Sequence, residues 1–309
     1  MTTGDAGPAT GLEPRTRFVG CGGVRLHALD WGGDGPPLVF LPGLGQSAHV
    51  FREIAPEFAG EYRVVALTAR SHGESDAPEH GYTVDAFAAD LRGAMDELGI
   101  GRAVLAAHSA AGAWATRFAA DHPDRVRAMI YLDAVTDYAG YLDVQVRNPY
   151  PAPPRPRSGD TAAEREWMRR HVPGFWCGAL EADLATRPPA AELMERSMAM
   201  ASLFGEVAAH PQPYAGLRCP ALALVATDTV ETQYPWLDAA DAEKRGKAEA
   251  YIRTVRAPWR AAAVERFRRE APGGRVLEMP GGHFFFLSQR ERTAAEIRAF
   301  LSPLDHAAT

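Results

Sequence analysis

The sequence predicts a doubly wound, mostly parallel α/β sheet with an inserted helical cap. Two observations carry this reading. Continuous apolar runs of strand length alternate with stretches whose apolar residues recur at spacings of three and four. The alternation then stops after Ala134, where a proline-rich stretch leads into helical sequence before strand and helix resume.

Around Phe18 the segment RFVGCGGVRLHALDWGG reads as a strand pair turning at Cys21-Gly22-Gly23, closed by the loop from Gly32 to Pro37. LVFLPG (Leu38 to Gly43) is a continuous apolar run ending in Pro and Gly, the pattern of a strand buried on both faces of a parallel sheet. RVVALTA (Arg63 to Ala69), RAVLAAH (Arg102 to His108), RAMIYLDA (Arg127 to Ala134) and PALALVA (Pro220 to Ala226) repeat it. FREIAPEFAG, VDAFAADLRGAMDELGI and AGAWATRFAADHPDRV read as the intervening helices.

NPYPAPPRPRSGD (Asn148 to Asp160) holds too much proline for helix or strand, and a Thr161-x-x-Glu164 capping box follows it. Tyr234 to Glu270 reads as a second insertion, helical with a break near Pro258, before the strand RVLEM and the helix ERTAAEIRAFL. The expected organisation is a core of 15–135 and 215–305, with an insertion of about 232–270, and a helical cap of 136–214. Trp167, Phe175, Trp176, Leu193, Met194, Met198, Met200, Leu203 and Phe204 give the cap helices an apolar face, either for packing or to roof a pocket.

A chain of 309 residues with 46% apolar content can bury a full core. A formal charge of −6 without a basic stripe argues against nucleic acid as a partner. Cys21, Cys177 and Cys219 are scattered singly and read as small hydrophobes, neither a disulfide framework nor a metal cluster. The opening MTTGDAGPATGLEP lacks a basic region followed by an apolar one, so it reads as a short disordered leader and no secretory signal. No apolar run approaches the roughly 18 residues of a membrane span, and a cytoplasmic location is the expectation. Neither a P-loop nor clustered metal ligands are present, so no cofactor and no metal are expected.

The chemistry centres on Ala107-His108-Ser109-Ala110-Ala111-Gly112, directly after a buried strand and directly before an alanine-rich helix. A nucleophile at such a turn needs small neighbours two residues away on each side, and Ala107 and Ala111 supply them. The helix that starts there aims free N–H groups and a positive dipole end at the site.

With these residues the chain resembles the α/β-hydrolase superfamily from roughly Phe18 to Leu301, carrying a relaxed G-x-S-x-G in which both glycines are alanine. Leu41-Pro42-Gly43-Leu44-Gly45 is similar to the family's His-Gly turn, with Pro42 where His is common. The resemblance implies that the amides of Leu44 and Ala110 form an oxyanion hole. Thr68-Ala69-Arg70-Ser71-His72-Gly73-Glu74-Ser75 is similar to the family's Asp-x-Arg-Gly-x-Gly-x-Ser loop, departing at Thr68 and Ser71. The same resemblance puts the general base in a Gly-His turn after the last strand, where Gly281-Gly282-His283 stands. His108 is read as structural, and His27, His49, His80, His122, His171, His210 and His306 as ordinary surface or core residues.

Relatives place the acid of a Ser-His-Asp set after strand six or after strand seven. Asp133 answers to the first position. Asp228 answers to the second but comes one residue early for the usual Gly-x-x-Asp spacing, which would reach Thr229. Asp133 is preferred because the long insertion displaces the later loop; Asp137 and Asp143 are lesser alternatives. The flanking Tyr131-Leu132-Asp133-Ala134, Asp137-Tyr138-Ala139-Gly140-Tyr141 and Tyr234-Pro235-Trp236 resemble a bacterial hydrolase branch.

The expected activity is cleavage of a carboxylic ester, thioester, lactone or amide of a small apolar substrate through acyl-Ser109, with that small molecule as the expected partner, no nucleic acid or membrane, and the oligomeric state left open. A cofactor-free lyase, oxygenase or cyclase on the same frame is the alternative, and a ligand-binding receptor with a vestigial triad comes third. Dehalogenases and epoxide hydrolases of this superfamily carry an aspartate nucleophile where Ser109 stands, which disfavours both.

Overall fold

Eight strands form one sheet among the described residues of the computed structural model, which cover 12–306 apart from 154–155, 157–159, 172–174 and 189. Most of the expected leader, part of the proline-rich stretch and the side chains of Leu193, Met194 and His306 lie outside the described residues.

The strands are β1 (Arg15–Cys21), β2 (Val24–Gly32), β3 (Pro37–Leu41), β4 (Arg63–Leu67), β5 (Ala103–His108), β6 (Val126–Leu132), β7 (Ala221–Ala226) and β8 (Arg275–Met279), in the spatial order β1-β2-β4-β3-β5-β6-β7-β8. The pairs β1/β2 and β2/β4 are antiparallel and the rest are parallel. Gly22 and Gly23, at φ of 57° and 89°, form the two-residue turn, and Cys21 belongs to the strand opposite Val24. Two successive positive φ values are what a twist-matched hairpin turn requires, and glycine meets that at no steric cost.

The continuous apolar runs are explained by burial on both faces. Along β5, β6 and β7 alternate residues enter opposite cores: Leu105, Met129, Tyr131 and Ala223 join one, while Val104, Ile130, Leu132 and Leu224 join the other. The first core is completed by α1 (Val84–Glu97) and α2 (Ala111–Asp121), which bring Phe87, Leu91, Trp114 and Phe118. The second is completed by α11 (Arg290–His306), with Ile297, Phe300 and Leu301.

Between β6 and β7 the chain forms α3 (Tyr138–Val146), α4 (Thr161–His171), α5 (Gly178–Ala185) and α6 (Ala190–Ala209). Between β7 and β8 come the short α7 (Val230–Gln233), then α8 (Ala242–Tyr251) and α9 (Ala257–Glu270); the four-residue α10 (Phe285–Ser288) precedes α11. A third apolar cluster joins the two insertions, with Val144 of α3 against Val230, Tyr234, Ala248 and Tyr251. Helix α5 is tied to the loop after β3, because Asp183 Oδ1 accepts from Ser47 N at 2.6 Å and from Ser47 Oγ at 2.7 Å.

Three local expectations need correction. FREIAPEFAG folds as 3₁₀ turns at Ala48–Phe51 and Ala55–Phe58; Pro56 has no amide to continue a helix ladder. The start of α4 is capped by Asp160, whose Oδ1 accepts from Ala162 N and Ala163 N at 2.9 and 3.1 Å, so a carboxylate one residue upstream takes the role assigned to Thr161. Glu164, the expected far side of that box, is buried and ion-paired with Arg187 at 3.2 Å. Finally, the helix near Pro258 is widened without being interrupted. A π-helical turn, Ile252–Arg256, joins α8 to α9 and is closed by the Ala257 amide on the Ile252 carbonyl. No helix among the described residues is long and apolar enough to cross a membrane.

Candidate active site

Ser109 directly follows β5 in the left-handed region, at φ 54°, and its amide donates to Leu132 O of the neighbouring strand at 3.1 Å. Holding a non-glycine residue there costs about 1–3 kcal/mol, and the surrounding structure must enforce it. It does so by close packing. A Cβ on Gly43 would stand 2.7 Å from Ser109 Cβ, and one on Gly112 would stand 2.9 Å from Ala134 O, so neither position admits a side chain without a shift. Ala107 and Ala111 are fully buried on either side. Leu44 and Ala110 line the cleft that holds Ser109, and among the described residues neither of their amides donates to a backbone carbonyl. Those are the two donors that the resemblance named.

Of the residues offered as acid, the structure brings Asp133 to His283. Asp133 Oδ2 lies 2.6 Å from His283 Nδ1. A carboxylate only accepts, so Nδ1 donates to Asp133, and in the neutral ring Nε2 is the unprotonated nitrogen. The other oxygen, Oδ1, accepts from Ala226 N at 3.0 Å and from Arg260 Nη1 at 2.7 Å. Asp133 also has positive φ, 47°, with its amide donating to Leu224 O at 2.8 Å. Burial alone would raise its carboxyl, but the Arg260 guanidinium, the His283 ring and the Ala226 amide outweigh burial and hold it well below the usual carboxylate range.

Asp228 stands elsewhere. Its carboxylate accepts from Arg260 Nε at 3.0 Å, Arg256 Nη2 at 3.1 Å and Gln233 Nε2 at 2.8 Å. Asp137 caps α3 through the Ala139 amide, and Asp143 is an exposed partner of Arg147.

His283 sits in a turn opened by Gly281 at φ 105°. Beneath it lies His108, wholly buried, whose Nε2 donates to the His283 carbonyl at 3.0 Å while Nδ1 meets the Gln46 side-chain amide at 2.9 Å. Burial, aided by the nearby His283, keeps the His108 ring neutral, well below the usual histidine range. It therefore buttresses the turn, as the sequence reading held. Thr68, where the related loop has Asp, accepts from the Ala48 amide at 2.8 Å and meets His27 Nδ1 at 2.9 Å. Ser71, where that loop has Gly, takes φ 64°.

Two features were not singled out in the sequence. His171 lines the cleft, flanked by Trp167 and Trp236 at ring separations of 5.3 Å each. Arg256 and Arg260 went unnoticed in the sequence; their signal was two arginines four residues apart around Pro258, which share a helix face.

The cleft has a volume of about 420 Å³ and is walled by Tyr141, Trp167, Phe204, Trp236 and Trp259. Trp167 and Trp259 spend their indole N–H groups on the Pro153 and Asp137 carbonyls at 3.0 Å each, leaving their rings as apolar wall. The buried Tyr138 phenol faces Ser109 and Thr136. A larger groove of about 800 Å³ runs between 77–83 and α6, but it contains none of Ser109, Asp133 and His283.

For a metal, the described residues offer one group of three ligands, His27, His49 and Glu74, with ligand atoms within 4.8 Å of one another. The two imidazoles lie parallel, 6° apart at 5.2 Å, so their in-plane lone pairs do not converge on a single point. Burial lowers His27 to about 4, and Glu74 Oε2 stands 3.2 Å from both ring Nε2 atoms, so the three make a polar cluster among themselves.

The sequence profile of the alpha/beta hydrolase fold matches residues 36–195, just over half of the chain. A fluoroacetate dehalogenase from Burkholderia sp is 37% identical over 133 residues, 41% of this chain and 43% of that protein. Epoxide hydrolase 4 of Mus musculus is 37% identical over 36% of this chain and 32% of its own length. The matches thus span well under half of these curated relatives. Among solved structures, E-2-(acetamidomethylene)succinate hydrolase superposes with a TM-score of 0.70 at 21% identity, over 94% of this chain and 99% of that one.

Proposed function

The chain belongs to the α/β-hydrolase family, and on that premise we propose that it is a serine hydrolase cleaving a carboxylic ester, thioester, lactone or amide of a small apolar substrate through acyl-Ser109. The observation that carries this is the 2.6 Å contact between His283 Nδ1 and Asp133, which leaves Nε2 as the base in the cleft of Ser109. In this reading Nε2 takes the serine proton during attack and returns it to the leaving group, while the Leu44 and Ala110 amides hold the oxyanion. The aromatic wall supports an apolar acyl or alcohol group, and α3–α6 act as the cap that roofs it.

The names of the relatives do not transfer. Displacement at carbon by Ser109 would give an ether, which water cannot readily cleave, whereas acyl transfer gives an ester that water opens to complete the cycle. That chemistry separates a serine at this position from an aspartate.

The test is inactivation by a serine-directed phosphonate together with a panel of p-nitrophenyl esters, a lactone and a thioester. We expect one phosphonate on Ser109 and turnover of at least one acyl substrate. Ser109→Ala and His283→Ala should each lose about 10⁴ or more in rate, with the double variant scarcely worse. Absence of both labelling and acyl turnover would reject the reading in favour of a lyase, oxygenase or cyclase, or of a ligand-binding protein.

A further inference from the structure

We propose that Arg260 is a positioning residue of this site, one that shares the Asp133 carboxylate with His283 and thereby sets the pH range over which His283 can act as a base. This rests on the reading of Ser109, His283 and Asp133 as the reacting set.

The device begins in the sequence IRTVRAPWR. Pro258 has no amide, and its ring presses on the carbonyl four residues back, at Thr254, so the chain there widens into the π turn Ile252–Arg256. Thr254 Oγ1 bonds the Ala250 carbonyl at 2.7 Å, which loosens the same stretch further. Arg256, the last residue of the turn, and Arg260, four residues on, both reach Asp228. Arg260 extends beyond it, with Nη1 on Asp133 Oδ1, while Nε stays on Asp228. Both carboxylates are 5% exposed and the Arg260 side chain 17%, so water screens this network weakly.

Two arginines and two aspartates balance without His283. An unshared Asp133 would lend its whole charge to the protonated imidazole; here a guanidinium on the opposite oxygen cancels part of it. His283 therefore stays neutral, and able to accept the Ser109 proton, down to lower pH. The other titratable groups facing this pair are His108, kept neutral by burial, the phenols of Tyr138 and Tyr141, raised by burial, and His171 in the cleft wall. His108, Tyr138 and Tyr141 thus add no fixed charge beside the pair. A unit charge acting through an effective dielectric near 20 at this range corresponds to about one pH unit or more.

Opposite charges at Arg260 and Asp228 make the test directional. We would measure the midpoint of the acidic limb of phosphonate inactivation and of ester turnover, and the imidazole midpoint of His283 by NMR. Arg260→Gln should move these midpoints up by about one pH unit, with Arg260→Lys restoring most of the shift. Asp228→Asn should move them down, because the Arg260 charge then falls on Asp133 alone. General structural damage would not reverse sign between two neighbouring variants. Unchanged midpoints, or shifts in the same direction, would overturn the proposal. Should Arg260→Gln fail to fold, Asp228→Asn decides alone. The NMR titration needs no turnover, so a wild-type protein that neither labels nor hydrolyses would sink the functional reading while still deciding this one.

Discussion

Arg260 Nη1 lies 2.7 Å from the Asp133 oxygen that His283 does not use. Both carboxylate oxygens are therefore engaged, with Ala226 N also on the arginine side, and the group's orientation is fixed by three partners from three separate segments. Such a group acts through its position as much as its charge.

Asp133→Asn tests that position. Asparagine keeps the volume and can still accept from Ala226 and Arg260, but it would turn an NH₂ toward Nδ1 and push the imidazole proton onto Nε2. Turnover at the optimum should fall by about 10⁴ with the fold intact by circular dichroism. Asp228→Asn, judged at its own optimum, should cost less than about tenfold. An Asp133→Asn enzyme within tenfold of wild type would remove the residue from the reacting set.

Gly43→Ala probes the second approach to Ser109. The added Cβ would meet Ser109 Cβ at 2.7 Å and His108 Nδ1 at 3.3 Å, so the Leu44 loop must retreat. Displacing an oxyanion donor by about 1 Å costs on the order of 10² in rate. We expect that loss in kcat with little change in KM, whereas Gly60→Ala, where a Cβ meets nothing within 4 Å, should be silent in steady-state kinetics. A rise in KM alone would point to blocked substrate entry and away from a displaced donor.

The sheet was legible because burial on both faces writes a strand as an unbroken apolar run, and Ser109 and His283 because each sits in a local context that the chain spells out. The candidate acid was harder to name for a geometric reason. Asp133 and Asp228 both follow the C-terminal ends of strands, β6 and β7, that lie side by side in register, so spacing alone does not separate them. What separates them is the capture of Asp228 by Arg256 and Arg260, 28 and 32 residues away, through a π turn that no apolar periodicity announces. The place of His171 depends likewise on contacts with Trp167 and Trp236 made only after α4 packs.

The last prediction concerns the joint between α5 and the loop that carries Leu44. Asp183 Oδ1 takes both Ser47 N and Ser47 Oγ, yet burial, only partly offset by Arg187 and the Ser47 bonds, raises its carboxyl above the ordinary value of 3.8. The native state thus holds this proton more tightly than the unfolded chain does. Stability attributable to Asp183 is greatest below the ordinary value and is lost as pH rises through the raised one, so by neutrality the protein carries a buried carboxylate at a cost. Asp183→Asn keeps an Oδ1 acceptor for Ser47 and removes the charge. Its melting temperature relative to wild type should therefore improve as pH goes from about 3.5 to 7, being lowest where both side chains are neutral and the weaker amide geometry is all that differs. If the variant loses ground against wild type as pH rises across that window, the ionised carboxylate is stabilising, and Arg187 pairs with it more strongly than burial opposes it.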